Sequence, residues 1–170
     1  MIIRRDEYAI RPWRRDDNVS LAGNANNIKI WNNVRDYFPN PYSIRDADDY
    51  INLVSAVSVP LNFAIEIAGK AVGGIGFVPG SDVERLNAEI GYWLGEKYWN
   101  RGIMSSVVRD SADYIFANSD FIRLFAPVFE FNSASMRVLE KAGFNKIAVL
   151  HKAAVKNNRI IDLHYYELLK

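Results

Sequence analysis

Residues 87–106 of this chain read NAEIGYWLGEKYWNRGIMSS. The first eight alternate apolar and other side chains, as a strand does, and a glycine-containing segment typical of a loop follows. Apolar residues then recur at helical spacing, at Ile103, Met104, Val107, Val108, Ala112 and Ile115. A strand, a loop and a helix in this order leave backbone N–H groups without partners at the helix start, where anions bind, phosphates above all. The stretch therefore predicts an anion site, with one carboxylate, Glu89, upstream in its strand.

The composition is that of a globular chain. Its 170 residues suit one domain over residues 1–170, 49% of them are apolar and 13% are aromatic. The formal net charge of +1 gives no general attraction to nucleic acid or to anionic membranes, so we expect neither as a partner. The two histidines, His151 and His164, lack the spacing of metal ligands, and we expect no metal. The chain has no cysteine, so any thiol in the chemistry must arrive with a cofactor.

The amino-terminal segment is charged rather than apolar. Its basic and acidic residues are interleaved, and we interpret them as a solvated mixed-charge face rather than a phosphate-binding patch: Arg4, Arg5, Asp6, Glu7, Arg11, Arg14, Arg15, Asp16 and Asp17. No apolar run follows these charges as in a signal peptide, and no run approaches the length of a membrane span. We therefore expect a soluble cytoplasmic protein.

The order of elements predicts an α/β fold with a mixed sheet. A first strand near residues 8–13 precedes two or three helices, one of which begins at Ser43 with the Ser-x-x-Asp pattern of a capping box. An antiparallel meander ends with residues 87–94 and leads into the helix described above. The strand 123–129, a further helix and a hairpin that turns at Asn157-Asn158 complete the chain. This order differs from the regular alternation of a doubly wound nucleotide fold.

A glycine cluster, Gly73-Gly74-Ile75-Gly76, invites comparison with a dinucleotide-binding turn. It lies inside the second strand of the predicted meander and no helix follows it, whereas a dinucleotide fingerprint joins a strand to a helix. We therefore interpret these glycines as permitting a bulge or the close approach of another backbone.

Two further features have both a structural and a functional interpretation. Asn132-x-x-Ser135 opens a predicted helix; capping alone explains Asn132, whereas Ser135 lies inside the helix, where serine gains nothing in propensity. Glu89 in a half-buried strand is costly unless it is paired, hydrated or functional, and Arg85 or Arg123 could pair with it.

Together these segments resemble a known family. The residues that carry the resemblance are AEIGYWL at 88–94, YWNRGIM at 98–104 and NSASMRVLEKAGF at 132–144. They resemble the GNAT superfamily of acetyl-CoA-dependent N-acetyltransferases, and more narrowly the branch that contains the ribosomal-protein N-terminal alanine and serine acetyltransferases. The resemblance implies a single-domain GNAT fold, α/β (α+β), whose mostly antiparallel central sheet of about seven strands has helices on both faces.

The chain departs from the family's usual phosphate loop, Gln/Arg-x-x-Gly-x-Gly/Ala. Trp99 holds the first place, Gly102 matches, and Met104 brings a larger side chain to the last place, where a small one is usual. The resemblance still implies acetyl-CoA as the co-substrate. It places coenzyme A on Trp93, Leu94, Asn100, Arg101, Gly102, Ile103, Met104, Ser105 and Asn132.

Within that set the resemblance implies separate roles. The backbone at Trp93 and Leu94 would bind the pantetheine arm as an added strand, and the N–H groups from Asn100 to Ser105 would hold the pyrophosphate. Asn132 would bind the amides of the arm. Glu89 would be the catalytic carboxylate, and Ser135 would lie near the thioester sulfur.

The reaction implied is direct transfer of an acetyl group to a primary amine, either a protein N-terminal α-amine or a small-molecule amine. Candidate walls for that acceptor are the aromatic residues Trp31, Tyr37, Phe38, Tyr165 and Tyr166, for which the alternative is a place in the core. A non-catalytic acetyl-CoA-binding module and a nucleotide-binding protein that uses Gly102 also stay open. Both a monomer and a homodimer are compatible with the sequence.

Overall fold

The structure, a computed structural model, describes all residues from Met1 to Lys170. Eight strands form one sheet, accompanied by five α-helices. The strands are β1 (Ile3–Arg4), β2 (Ala9–Pro12), β3 (Asn62–Ile67), β4 (Lys70–Pro79), β5 (Asn87–Leu94), β6 (Arg123–Phe129), β7 (Asn145–Lys156) and β8 (Arg159–Leu169). The helices are α1 (Asn18–Ala25), α2 (Ile28–Trp31), α3 (Ile44–Ser55), α4 (Ile103–Asn118) and α5 (Ser133–Lys141).

The strand order across the sheet is β1-β2-β3-β4-β5-β6-β8-β7. Antiparallel ladders join β1 to β2, β2 to β3, β3 to β4, β6 to β8 and β7 to β8, whereas β5 and β6 pair in parallel. The predicted α/β fold with a mixed, mostly antiparallel sheet is therefore confirmed. The sheet has one strand more than expected because β1 is two residues long, too short to show a periodic pattern.

Local patterns predicted the central helix and the last turn. The helix expected from Ile103 is α4, and every residue of its predicted apolar stripe is buried: Ile103, Met104, Val107, Val108, Ala112 and Ile115. At the turn between β7 and β8, Asn157 and Asn158 have φ angles of 51° and 58°. A two-residue hairpin turn of type I′ requires that left-handed region at both positions, and asparagine tolerates it.

The fold is made of two compact units, one of residues 1–76 with 92–103 and one of residues 77–91 with 104–170. The core of the first unit consists of Trp13, Leu21, Ala22, Ala25, Tyr42, Ala47, Ile51, Val54, Ala64 and Ala71. In the second unit, buried apolar residues come from β6, α5, the turn after α5 and β8 as well as from α4, and include Leu124, Ala126, Val128, Leu139, Phe144 and Tyr166.

The charged amino-terminal segment is only in part a solvated face. Arg11 and Asp17 are 4% and 5% exposed, and the guanidinium of Arg11 donates to the Asp17 carboxylate at 2.7 and 2.8 Å and also to Glu66 on β3. The hydrogen bond to Asp17 raises the pKa of Arg11, although burial acts in the opposite direction. The interpretation as a solvated face was wrong for these two residues, because Glu66, far along the chain, completes a buried ion pair around them.

The capping box predicted at Ser43 is confirmed at the start of α3. The Ser43 hydroxyl accepts a hydrogen bond from the backbone N–H of Asp46, and the Asp46 carboxylate accepts one from the backbone N–H of Ser43 at 2.8 Å. Hydrogen bonds from the Ser43 hydroxyl and backbone lower the pKa of Asp46. Because the folded-state pKa is depressed, this contribution to stability is present above the usual aspartate range and is lost as the pH falls through the folded-state pKa.

We expect Ser43→Ala to lower the melting temperature by about 3 °C near neutral pH, the usual effect of losing an N-cap in a domain of this size. The difference from the wild type should shrink as the pH falls through the folded-state pKa of Asp46, which lies below the usual aspartate range, because protonation of Asp46 weakens the box in the wild type as well. Thermal melts of both proteins across that pH range measure it. A melting difference that stayed constant with pH would show that the Asp46 carboxylate does not take part.

The glycine cluster of β4 permits the close approach that the sequence analysis anticipated. A Cβ atom on Gly73 would lie 2.5 Å from the backbone oxygen of Trp93 and 3.1 Å from the Cα of Leu94. A Cβ atom on Gly74 would lie 3.0 Å from the indole nitrogen of Trp93. The absence of side chains here lets the end of β5 lie directly against β4.

Candidate functional site

The end of β5 and the loop that follows it are held by backbone and side-chain hydrogen bonds. The backbone N–H of Gly95 donates to the carbonyl of Val72 on β4 at 2.8 Å. The indole N–H of Trp99 donates to the carbonyl of Leu94 at 2.7 Å, so the loop closes on the last residue of its own strand. These contacts fix the segment that the sequence analysis assigned to the pantetheine arm.

The same loop is anchored through the carboxylate of Glu96, which accepts hydrogen bonds from the Asn27 side chain at 2.8 Å and from the Lys29 ammonium group. The hydrogen bonds from Lys29 and Asn27 lower the pKa of Glu96, so the carboxylate stays ionised at neutral pH. These bonds tie the loop to Lys29 in α2 and to Asn27, the residue just before α2.

The turn into α4 has the conformation expected of an anion-binding segment. Asn100 and Gly102 have φ angles of 59° and 76°, in the left-handed region. A Cβ atom on Gly102 would meet no heavy atom within 4 Å, so glycine is required here by the backbone conformation and not by space. Alternation of right- and left-handed residues turns successive N–H groups toward one side, a geometry that binds anions.

The first turn of α4 carries no acidic residue that would repel an anion. The side chain of Met104, which departs from the family's usual small residue, is 9% exposed and belongs to the buried face of the helix. Arg101 is exposed beside the turn. The start of α4 therefore offers backbone N–H groups and one neighbouring cation, which together suit a phosphate group.

Glu89 lies in β5 of the second unit, opposite Phe125 in the parallel ladder with β6. Phe125 in turn pairs with Glu167 on β8, so the three side chains project from one face of the sheet. Alternate residues on β5 and β6, such as Ala88 and Leu124, are buried on the opposite face. Glu89 is itself partly exposed.

The arginines that the sequence offered as partners of Glu89 make other contacts. Arg123 Nε donates to the Glu167 carboxylate at 2.7 Å, and Arg85 donates to the backbone carbonyl of Asp82 at 3.1 Å. The Arg123 guanidinium also lies 5.0 Å from the centre of the Phe125 ring. That ring stacks on Tyr165, with centroids 6.3 Å apart and an angle of 5° between the planes.

The start of α5 joins Asn132 and Ser135 as the sequence pattern suggested. The side-chain oxygen of Asn132 accepts a hydrogen bond from the backbone N–H of Ser135 at 3.0 Å, so Asn132 is the N-cap. This bond uses the side-chain oxygen, and it is the amide nitrogen of Asn132 that would donate to a ligand.

The aromatic residues proposed as acceptor walls have different environments. In the first unit, Phe38 lies 5.9 Å from Trp93 between ring centres, and the Trp31 indole donates to the Phe38 carbonyl at 3.0 Å. Tyr37, the next residue in that loop, is 82% exposed. In the second unit, Tyr165 is partly exposed and stacks on Phe125.

Tyr166 requires a correction, because its side chain is 1% exposed. Its phenol donates to the Glu140 carboxylate at 3.0 Å, and burial together with that hydrogen bond raises its pKa to about 12. The alternative of a core residue therefore fits Tyr166, and an acceptor wall does not. Neighbouring residues of a strand face opposite sides of the sheet, and only the fold shows that Tyr166 rather than Tyr165 faces the core.

Three side chains that contact the candidate site residues or their loop were not identified from the sequence: the indole of Trp99, the carboxylate of Glu96 and the ring of Phe125. Trp99 appeared only as a departure from a motif. Strand alternation predicts which residues within one strand share a face. That Glu89 on β5 lies opposite Phe125 on β6 depends on the register between the two strands, which only the fold shows.

No group of three or more His, Cys, Asp and Glu side chains is arranged to hold a metal ion. None of the helices is both long enough and apolar enough to span a membrane.

Comparison with known proteins gives a consistent set of matches. Residues 8–145 match the family model described as Acetyltransferase (GNAT) domain. The uncharacterized N-acetyltransferase p20 of Bacillus licheniformis is 31% identical over 132 residues, which cover 75% of this chain and 74% of that protein.

Two solved structures share the fold at low sequence identity. The ribosomal L7/L12 α-N-protein acetyltransferase RimL, in complex with coenzyme A, superposes with a TM-score of 0.87 at 18% identity, over 99% of this chain and 98% of that one. The ribosomal-protein-S5-alanine acetyltransferase of Vibrio fischeri gives a TM-score of 0.85 at 20% identity, over 99% and 96% of the two chains.

Proposed function

This chain belongs to the GNAT family of acetyl-CoA-dependent N-acetyltransferases, and we propose that it moves the acetyl group directly to a primary amine bound beside the thioester. The observation that carries the proposal is the turn into α4, where Asn100 and Gly102 adopt left-handed conformations and the helix start is free of acidic residues. That segment fits the pyrophosphate of coenzyme A, as the complex of RimL with coenzyme A leads us to expect for the shared fold.

The proposed cofactor contacts come from three segments. The backbone around Trp93 and Leu94 pairs with the pantetheine arm through the groups that point away from β4. The N–H groups of Asn100, Arg101, Gly102, Ile103, Met104 and Ser105 hold the pyrophosphate. The amide nitrogen of Asn132 donates to a carbonyl of the arm, while its oxygen continues to cap α5.

The chemistry begins with a neutral amine, because a protonated amine has no lone pair. A protein α-amine titrates near pH ~8 and a lysine near ~10.4, so the α-amine costs less to deprotonate at neutral pH. Glu89 accepts the proton that the amine gives up, directly or through a water molecule. The amine nitrogen bonds to the acetyl carbon, a backbone N–H of β5 stabilises the developing oxyanion, and the carbon–sulfur bond breaks.

The leaving thiolate of coenzyme A needs little help, since a thiol has an ordinary pKa of about 8.5. Ser135 donates a hydrogen bond to the sulfur as it departs, and the thiolate then takes up a proton. Ser135 therefore acts on turnover and not on the affinity for the cofactor.

For the acceptor we favour a peptide or protein N-terminus over a small-molecule amine. Trp31, Tyr37 and Phe38, which all belong to the first unit, are the proposed walls. RimL and the Vibrio fischeri enzyme are described as acetyltransferases of ribosomal proteins, which supports testing that class first.

The test is an acceptor screen with acetyl-CoA. Thiol release is followed with peptides that begin with Ala, Ser or Met, and with polyamines as the small-molecule arm. Thiol release in the presence of a peptide supports the proposal if blocking the α-amine of that peptide abolishes the release. Thiol release with polyamines alone would change the acceptor class. Tight coenzyme A binding without transfer to any amine would favour the non-catalytic module, and ATP binding that coenzyme A does not displace would favour the nucleotide-binding alternative.

We expect Ser135→Ala to lower kcat about fivefold to tenfold, the effect of losing one hydrogen bond to a group that gains charge, while the Kd for coenzyme A changes less than twofold. The N-cap is kept because it uses the backbone N–H of Ser135. Ser133→Ala, an exposed serine at the start of the same helix, is the matched control. A loss of cofactor affinity with unchanged kcat would make Ser135 a binding residue instead.

A further inference from the structure

The indole of Trp99 makes a directed contact with the strand that leads to it. Its N–H donates to the carbonyl of Leu94 at 2.7 Å, across a loop of four residues. The ring is 36% exposed, so its position does not follow from burial in a core. A tryptophan N–H aimed at a particular backbone oxygen holds that oxygen in place.

The direction of that carbonyl can be read from its neighbours. Gly95 donates its N–H to Val72 on β4, and the Trp93 oxygen lies against Gly73 on β4. Because successive residues of a strand direct their backbone groups to opposite edges, Leu94 directs its N–H and carbonyl away from β4. Its β6 ladder has ended by this point, since the last pair joins Glu89 to Phe125.

We propose that Trp99 is a positioning residue for the pantetheine arm, because its indole satisfies the Leu94 carbonyl at the edge of β5 that the arm pairs with. The inference rests on the proposed function. Leu94 offers its N–H to an amide carbonyl of the arm, and its own carbonyl is satisfied by Trp99. Without the indole, the Gly95–Val72 bond still sets the direction of the Leu94 carbonyl, but that oxygen is left without a partner when the arm covers it, at a cost in affinity.

The anchoring of the rest of the loop makes this role separable from phosphate binding. Glu96 is held by Asn27 and Lys29, and Gly95 by Val72, so these contacts persist when the indole N–H is removed. Trp99 therefore acts on the arm and leaves the turn at Asn100–Gly102 in place.

The experiment compares two ligands by calorimetry: coenzyme A, and adenosine 3′-phosphate 5′-diphosphate, which carries the same pyrophosphate and adenosine but no arm. We expect Trp99→Phe to weaken coenzyme A binding about fivefold, the factor of one ordinary hydrogen bond, and to change the Kd of this armless nucleotide by less than twofold. Tyr98→Phe, which alters the neighbouring side chain, should change neither. In acetyl transfer, Trp99→Phe should raise the KM for acetyl-CoA with kcat nearly unchanged.

Unchanged coenzyme A affinity in Trp99→Phe overturns the inference, and so does an equal loss with both ligands, which would assign Trp99 to the phosphate turn. A wild-type protein that binds no coenzyme A refutes the proposed function itself, so the two failures are distinguishable. Hydrogen exchange of the indole N–H in the wild-type protein provides a measurement that does not depend on the variant. We expect exchange at least about tenfold slower than for a solvated indole, and exchange at the solvated rate would overturn the inference.

Discussion

Replacing Glu89 with glutamine is expected to lower kcat/KM by about a hundredfold to a thousandfold, the usual contribution of a positioned proton acceptor. Glutamine keeps the size of the side chain and can still donate and accept hydrogen bonds, but it cannot take a proton from the attacking amine. Glu89 is partly exposed on the face of β5 that Phe125 shares, so the substitution leaves the buried face of the sheet unchanged. The effect should therefore appear in turnover and not in folding.

The measurement is kcat/KM with the best acceptor from the screen, between about pH 6 and pH 9, where an amine passes from mostly protonated to more nearly neutral. Glu84→Gln is the matched control, because Glu84 is exposed in the turn before β5 and has no proposed role. Coenzyme A affinity should be the same in both variants. Full activity of Glu89→Gln across the whole pH range would remove Glu89 as the base.

Gly73→Ala is expected to destabilise the protein by about 3 kcal/mol, at the upper end of the cost of overpacking a tightly filled site. The added Cβ would lie 2.5 Å from the Trp93 oxygen and 3.1 Å from the Leu94 Cα. Both are backbone atoms, so neither can rotate away, and β4 and β5 must separate locally. Because the displaced residues are those proposed to pair with the pantetheine arm, coenzyme A affinity should fall as well.

Chemical denaturation of three alanine variants tests this explanation. At Gly76 the Cβ would meet the side-chain oxygen of Asn62, which can rotate, so Gly76→Ala should cost less than Gly73→Ala. At Gly23, within α1, no heavy atom lies within 4 Å, and alanine should stabilise the helix by about 0.5–1 kcal/mol. If Gly73→Ala proved as stable as the wild type, close backbone approach could not be the reason for that glycine.

Local patterns in the sequence predicted much of the fold. The apolar spacing after Ile103 predicted α4, the Ser43 pattern predicted the start of α3, and Asn157-Asn158 predicted the last turn. Each of these signals depends on residues within a few positions of one another, because helix periodicity, capping and turn conformations are local properties. The two-residue strand β1 has no such signal and was found only in the structure.

The sequence by itself determined the order of the elements, the glycine-dependent turn before α4 and the family resemblance that the comparisons confirm. Only the tertiary structure decided that Arg11 is buried with Asp17 and Glu66, that Tyr166 is core while Tyr165 is partly exposed, and that the Trp99 indole reaches Leu94. The physical reason is the same in each case. Burial and hydrogen-bond partners depend on which distant segments pack together, and the periodicity of one segment carries no information about its neighbours.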